Sequence, residues 1–151
     1  MADFRVEIIR YGGASMITAD SSVWIDYLAG RSTPKAQLLD GVLEDSSQDL
    51  VLLDVVLMEV LRGYRFEHEW RLANQALSAL PIQIAGGDAV ARSAAALYRQ
   101  LRKNGVTVRS PVDLLVGSWC ISSGCALIHN DRDFVPMQQH GLQAFEAENL
   151  S

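Results

Sequence analysis

Acidic side chains follow two short apolar segments of the chain. Asp20 stands at the end of the alternating run Met16–Asp20, and the segment Ala126–His129 leads into Asp131 and Asp133 within the sequence LIHNDRDF. Both segments predict strands, and the carboxyl ends of parallel strands meet at one edge of a sheet. We therefore expect these three carboxylates to lie close together.

Glu59 lies in a segment, VVLMEVLRG, whose apolar residues surround it on nearly every side of a predicted helix. Such a helix is expected to be largely buried, and a buried glutamate needs a partner. An ion pair with Arg62 or Arg65 is one candidate. A metal ion or its water is the other.

Asp113 belongs to the segment RSPVDLLVGSWC, where Ser110 can cap a helix that starts at Pro111. Asp113 would then be the third helical residue, where its charge favours the helix N-terminus. Each of the other acids has a comparable structural explanation. Asp20 could be an N-cap, Asn130-Asp131 suits a turn, and Asp133 could cap a short helix starting at Phe134.

The five acids together predict more than each does alone. Asp113 begins a helix that leads into the strand before Asp131, so both lie at the same sheet edge as Asp20. Carboxylates crowded there cannot all ionise without a counterion, and oxygen ligands favour Mg²⁺ or Mn²⁺. Such a site suits metal-assisted hydrolysis of phosphodiesters. His129 is read as a strand residue, and neither a Ser-His-Asp set nor a phosphate-binding glycine loop competes for the chemistry.

Apolar runs that alternate with helical patterns predict an α/β fold. We expect one domain with a central, mostly parallel sheet of four to five strands flanked by helices on both faces. Residues 1–15 read as an N-terminal extension, native or added, ending in a glycine-rich linker, and residues 16–151 as the domain. The predicted strands are Met16–Asp20, Leu50–Leu53, Ala126–His129 and Leu142–Phe145, with a weaker extended stretch at Pro81–Ala85. Val106–Val108 is either a short extended stretch or only a linker. The predicted helices are Ser21–Leu28, Pro34–Glu44, Val55–Gly63, Glu67–Leu80, Asp88–Asn104 and Ser110–Ser123.

Composition is that of a soluble globular chain of 151 residues with a net charge of −5. It contains no apolar run of membrane-spanning length and no secretory signal, so we expect a cytoplasmic protein whose Cys120 and Cys125 are reduced and mostly buried. The overall charge argues against a nucleic-acid partner, but the charge is uneven. A predicted helix carries a basic stripe, which is either a solvated face or a surface for RNA phosphates: Arg92, Arg99 and Lys103.

Four motifs in this order resemble the PIN-domain family, and within it the VapC-type toxins of toxin–antitoxin modules. They are ITADSSVWIDYL, LMEVLRGY, SPVDLLVGSWC and LIHNDRDF, and the resemblance extends from Met16 to about Glu146. It implies a Mg²⁺- or Mn²⁺-dependent endoribonuclease that hydrolyses RNA with a metal-activated water.

The resemblance also implies roles for the acids. Asp20 and Asp113 would be metal ligands, Glu59 would orient water or bind the metal, and Asp131 or Asp133 would complete the site. Ser21 and Ser22 would hold Asp20 in place. The expected partners are RNA, a VapB-type antitoxin and a second copy of the chain. The alternative is a catalytically inactive PIN-like module that binds RNA or protein. Phosphoryl transfer of the receiver or haloacid-dehalogenase kind is disfavoured because neither Lys35 nor Lys103 lies at a strand end.

Overall fold

The computed structural model describes residues 16–145, so the predicted extension at residues 1–15 lies outside the described part. Within it, a parallel four-stranded sheet has the strand order β2-β1-β5-β6, and a parallel pair is formed by β3 and β4. The strands are β1 (Met16–Ala19), β2 (Asp49–Leu50), β3 (Leu52–Leu53), β4 (Ile82–Gln83), β5 (Ala126–Ile128) and β6 (Gln143–Ala144).

Helices separate most of these strands, as the alternating pattern predicts. They are α1 (Ser21–Leu28), α2 (Pro34–Glu44), α3 (Asp54–Arg62), α4 (Glu67–Leu77), α5 (Asp88–Lys103) and α6 (Pro111–Ser123), followed by a 3-10 helix (Arg132–His140). The predicted α/β fold class with a parallel sheet flanked by helices is therefore confirmed. No helix of the described residues is both long enough and apolar enough to cross a membrane.

The central strand β1 positions the functional edge of the sheet. Its register pairs Ala19 with Ile128 of β5, and the backbone N–H of Asp20 donates to the Ile128 carbonyl at 2.9 Å. The strands β1 and β5 lie in the middle of the sheet and are buried on both faces. Ile17, Leu127 and Ile128 have 0% exposure. A rigid, buried strand pair thus ends at Asp20 and at the residues after Ile128.

Several predicted boundaries are corrected by the structure. The predicted strand Leu50–Leu53 is divided at Val51, because β2 pairs with β1 whereas β3 pairs with β4. The helix predicted to reach Leu80 ends at Leu77. Of the two alternatives for Val106–Val108, an extended stretch or a linker, the structure has the linker, between α5 and α6. These errors concern short segments, where pairing partners rather than local sequence decide the outcome.

The helix around Glu59 is buried or half-buried over most of its length, as its apolar sequence predicts. Val56 and Val60 are fully buried, but Met58 is 49% exposed. This apolar helix presents one face to the core and leaves another open to solvent. The prediction of a largely buried helix therefore holds except at Met58 and Arg62, which are exposed while the other residues of α3 are buried or half-buried.

Both cysteines are buried and free, as predicted. Cys120 lies on α6 and Cys125 immediately precedes β5. A hydrogen bond with the Cys125 thiol, together with burial, raises the pKa of Cys120 well above its ordinary value. Both thiols belong to the hydrophobic core.

Candidate metal centre

The carboxyl edge of the sheet carries a polar cavity of about 540 Å³. Its lining brings together residues from β1, α1, α3, α6 and the segment after β5: Asp20, Ser21, Ser22, Glu59, Ser110, Asp113, Asn130, Asp131 and Arg132. Four of the five predicted acids therefore share one cavity.

The carboxylates fall into two overlapping groups. Asp20, Glu59 and Asp113 each offer an oxygen, and these atoms lie within 4.8 Å of one another. Asp113, Asp131 and Asp133 form a second group by the same measure. Asp113 belongs to both groups, so it is the centre of the cluster.

Asp20 occupies the N-cap position of α1, but its side chain accepts no capping hydrogen bond. It is only 4% exposed, and its Oδ1 has no hydrogen-bond partner among the described residues. Burial raises the pKa of Asp20 from 3.8 to about 6, and the charges of Glu59 and Asp131 contribute to the increase. The capping explanation therefore does not account for this side chain.

Neither Arg62 nor Arg65, the two partners considered for Glu59, forms an ion pair with it. The Glu59 Oε1 is buried without a hydrogen-bond partner, and no ion pair joins it to a described residue. Arg65 instead lies over the Phe66 ring, at 5.6 Å from its centroid. The ion-pair alternative for Glu59 with Arg62 or Arg65 is therefore wrong within residues 16–145.

Asp113 is held at the N-terminus of α6 as its sequence predicts. Ser110 is the N-cap, and its hydroxyl accepts from the Asp113 N–H at 3.4 Å. The side chain of Asp113 remains free to point at the sheet edge and is only 7% exposed. Burial is the main cause that raises the pKa of Asp113 to about 7. The negative charges of Asp20, Asp131, Glu59 and Asp133 also contribute, in this order of importance.

Asp131 caps the 3-10 helix, with its Oδ1 accepting from the Asp133 N–H at 2.9 Å. The predicted cap at Asp133 is therefore wrong by two residues, because the helix begins at Arg132 rather than at Phe134. His129 follows β5 and is buried; its Nδ1 accepts from the Asp131 N–H at 3.2 Å. This bond orders the segment that carries Asp131, a contact the sequence reading did not anticipate.

The predicted basic stripe lies elsewhere. Arg92, Arg99 and Lys103 are all exposed on α5, and none of them lines the acidic cavity. Arg92 donates to Asp88 at 2.9 Å on the surface of the same helix. Arg132, which the sequence reading did not select, lines the cavity instead.

The arrangement fits a hard divalent cation. Its donors are carboxylate oxygens, and two of them, Asp20 Oδ1 and Glu59 Oε1, are buried without a partner in the described chain. An unpaired buried acceptor costs about 1–3 kcal/mol. A cation held between these oxygens would remove that cost and the mutual repulsion, whereas the cluster contains neither the imidazole nor the thiolate that zinc prefers.

A model of the PIN domain family matches residues 17–138. The chain therefore belongs to the PIN domain family. It is 29% identical over 120 residues to VapC ribonuclease Mb1587 of Mycobacterium bovis, which covers 79% of this chain and 89% of that relative. Ribonuclease VapC11 of Mycobacterium tuberculosis matches with the same identity and coverage. The predicted resemblance to the PIN-domain family and its VapC-type members is confirmed.

Solved structures share the fold. DNA-bound VapBC from Salmonella typhimurium matches with a TM-score of 0.68 and 16% identity, covering 85% of this chain and 96% of that one. VapBC2 from Rickettsia felis, bound to a promoter DNA fragment, matches with a TM-score of 0.69, the same identity and the same coverage. At this identity the likeness concerns the fold, which agrees with the parallel sheet described above.

Proposed function

We propose that the protein is a metal-dependent endoribonuclease, the VapC-type toxin of a toxin–antitoxin module, which hydrolyses RNA phosphodiester bonds. The observation that carries the proposal is that Asp20, Glu59 and Asp113 each bring a carboxylate oxygen within 4.8 Å of the others. In addition, Asp20 Oδ1 and Glu59 Oε1 are buried with no hydrogen-bond partner among the described residues. The relatives named ribonuclease support the substrate class.

We assign Asp20 and Asp113 as ligands of Mg²⁺ or Mn²⁺, with Glu59 facing the same ion. A bound divalent ion would stabilise charge on a phosphoryl oxygen and lower the pKa of its water. The chain's own contribution is to hold the oxygens in place: β1 positions Asp20, and the Ser110 cap positions Asp113. Asp131 and Asp133 complete the group of carboxylates on the side of the 3-10 helix.

Ser21 and Ser22 line the cavity beside Asp20. The Ser22 hydroxyl is buried and has no hydrogen-bond partner among the described residues. We assign both serines to the immediate surroundings of the ion, where a hydroxyl can donate to a ligand carboxylate or to bound water.

Nuclease activity is tested with purified protein and single-stranded RNA oligonucleotides of defined sequence. Cleavage is expected with Mg²⁺ or Mn²⁺ and should stop when a chelator is added. Asp20→Asn and Asp113→Asn should each abolish cleavage, whereas Asp49→Asn, which makes the same charge change at an exposed site, should not. If the metal binds but no RNA is cut, the protein is instead an inactive PIN-like binding module.

The basic stripe of Arg92, Arg99 and Lys103 is proposed as a distal contact for the RNA backbone. Its residues are exposed on α5 outside the cavity, so they would add affinity without touching the cleaved bond. Replacing all three by glutamine should weaken RNA binding and reduce its salt dependence by up to about three counterions. An unchanged salt slope would show that this face is only solvated.

An antitoxin of the VapB type is the proposed inhibitor. An apolar groove of about 390 Å³ lies between α1 and α4, lined by Ile25, Leu28, Ala29, Tyr64, Glu69, Leu72 and Ala73. Leu72 is 56% exposed, and the nearby Phe66 and Trp70 are 60% and 39% exposed. An apolar groove of this kind fits the apolar face of a partner helix.

Leu72→Asp should therefore weaken antitoxin binding at least tenfold without changing RNA cleavage. Retained affinity would place the antitoxin elsewhere. We also propose a homodimer, which sedimentation of the free protein tests, and a cytoplasmic location.

A further inference from the structure

Arg132 is the only cationic side chain among the described residues that line the acidic cavity. Four carboxylates face it there, those of Asp20, Glu59, Asp113 and Asp131. It is the first residue of the 3-10 helix, so the backbone at its Cα is fixed by the capped helix start. The side chain itself is exposed to solvent at the rim.

The charge of Arg132 is not neutralised by its neighbours. No ion pair within 4.0 Å joins it to a carboxylate of residues 16–145, although Asp131 and Asp133 flank it in sequence. By contrast, Arg31 and Arg71 are each paired, with Asp26 and Glu67.

An RNA substrate creates a need for such a group. A phosphodiester carries a negative charge and must enter a cavity whose lining includes four carboxylates, so a divalent ion alone leaves a repulsive approach. A guanidinium at the rim presents two parallel N–H donors that match two phosphate oxygens. It also keeps its charge at every working pH.

We propose that Arg132 binds an RNA backbone phosphate at the mouth of the acidic cavity, next to the bond that is cleaved. The inference rests on the proposed ribonuclease function. Arg132, rather than the basic stripe on α5, is then the phosphate contact closest to the carboxylates. Its role is to hold the substrate, not the metal.

The competing role for Arg132 is that of a counterion for the acids themselves. The two roles predict different results when the charge is removed by Arg132→Gln. Loss of a phosphate contact weakens RNA binding and leaves the metal-free protein as stable as before. Loss of a counterion lowers the melting temperature in chelator and leaves RNA affinity unchanged.

The test compares wild type, Arg132→Gln, Arg132→Lys and the surface control Arg71→Gln. RNA affinity is measured by fluorescence anisotropy with a labelled single-stranded oligonucleotide in Ca²⁺ at several salt concentrations, and cleavage is measured separately in Mg²⁺. Arg132→Gln should raise the RNA Kd and the KM about tenfold, and should lower the salt slope by about 1. Arg132→Lys should restore the salt slope but only part of the affinity, because a lysine lacks the bidentate geometry.

Calorimetric Mg²⁺ affinity without RNA should not fall in Arg132→Gln, since removal of a positive charge does not weaken cation binding. Unchanged RNA affinity and salt slope in Arg132→Gln would overturn the proposal, as would an equal loss in Arg71→Gln. If wild type binds RNA in Ca²⁺ but never cleaves it in Mg²⁺ or Mn²⁺, the proposed nuclease function fails, while the anisotropy comparison still decides the role of Arg132.

Discussion

Asp20→Asn should stabilise the protein in chelator and destabilise it relative to wild type in Mg²⁺. The pKa of Asp20 is raised from 3.8 to about 6, so the folded state binds a proton more tightly than the unfolded chain does. The contribution of Asp20 to the stability of the metal-free protein is therefore fully present below about pH 4, and it is lost as pH rises from the unfolded to the folded pKa.

The size of the effect follows from the shift. A rise from 3.8 to about 6 corresponds to about 3 kcal/mol of lost stability at pH 8 for a side chain as buried as Asp20. Asparagine removes the charge but leaves a buried amide with no described partner at the former Oδ1, which costs about 1–3 kcal/mol. The expected net gain is up to about 2 kcal/mol, which corresponds to up to about 8 °C in melting temperature.

The assay is thermal unfolding followed by circular dichroism, in EDTA and in millimolar Mg²⁺, from pH 5 to pH 8. In EDTA the advantage of Asp20→Asn should grow between pH 5 and pH 7 and then level off. In Mg²⁺ the order should reverse, because only wild type gains the free energy of ion binding. Asp49→Asn is the matched control, since it removes one charge from an exposed position.

Two outcomes would refute the reasoning. One is a metal-free Asp20→Asn protein that is no more stable than wild type at pH 8. The other is equal stabilisation of Asp49→Asn, which would assign the effect to net charge rather than to the buried cluster.

Three further predictions concern Asp113, the cap of α6 and the packing of α6. Asp113 has a pKa of about 7, so protons compete with Mg²⁺ for its carboxylate at low pH. The apparent Mg²⁺ affinity should therefore rise between pH 5 and pH 8, and a calorimetric affinity that is constant over this range would contradict the prediction. Ser110→Ala removes the cap of α6 and should lower the free energy of unfolding in urea by about 0.5–1 kcal/mol, with a parallel loss of Mg²⁺ affinity. Unaltered stability would show that the 3.4 Å hydrogen bond from the Asp113 N–H to the Ser110 hydroxyl contributes little. Gly117→Ala should lower the free energy of unfolding by about 1 kcal/mol, because a Cβ there would lie under 3.0 Å from the buried Met137 sulfur. The cost of this overpacking outweighs the gain in helix propensity. In a Met137→Ala background the same change should stabilise, and a double-mutant cycle with no such reversal would contradict the packing argument.

The carboxylate site was predictable because its members occupy positions with local signatures. Asp20 follows an apolar alternating run, and Asp113 follows a Ser-Pro helix start, so each could be placed at the same sheet edge from sequence alone. The alternatives for Glu59 could not be decided in this way. An ion pair with Arg62 or Arg65 depends on side-chain directions in three dimensions, which periodicity does not specify.

The sequence by itself determined the element order, the α/β class and the identity of the acids, because hydrophobic period and capping residues act over a few neighbouring positions. Only the tertiary structure decided which strands pair, that Asp131 rather than Asp133 caps the last helix, and that Arg132 rather than the α5 stripe faces the acids. These outcomes depend on distances between segments far apart in the chain. Such distances are set by packing of the whole core, which no local pattern contains.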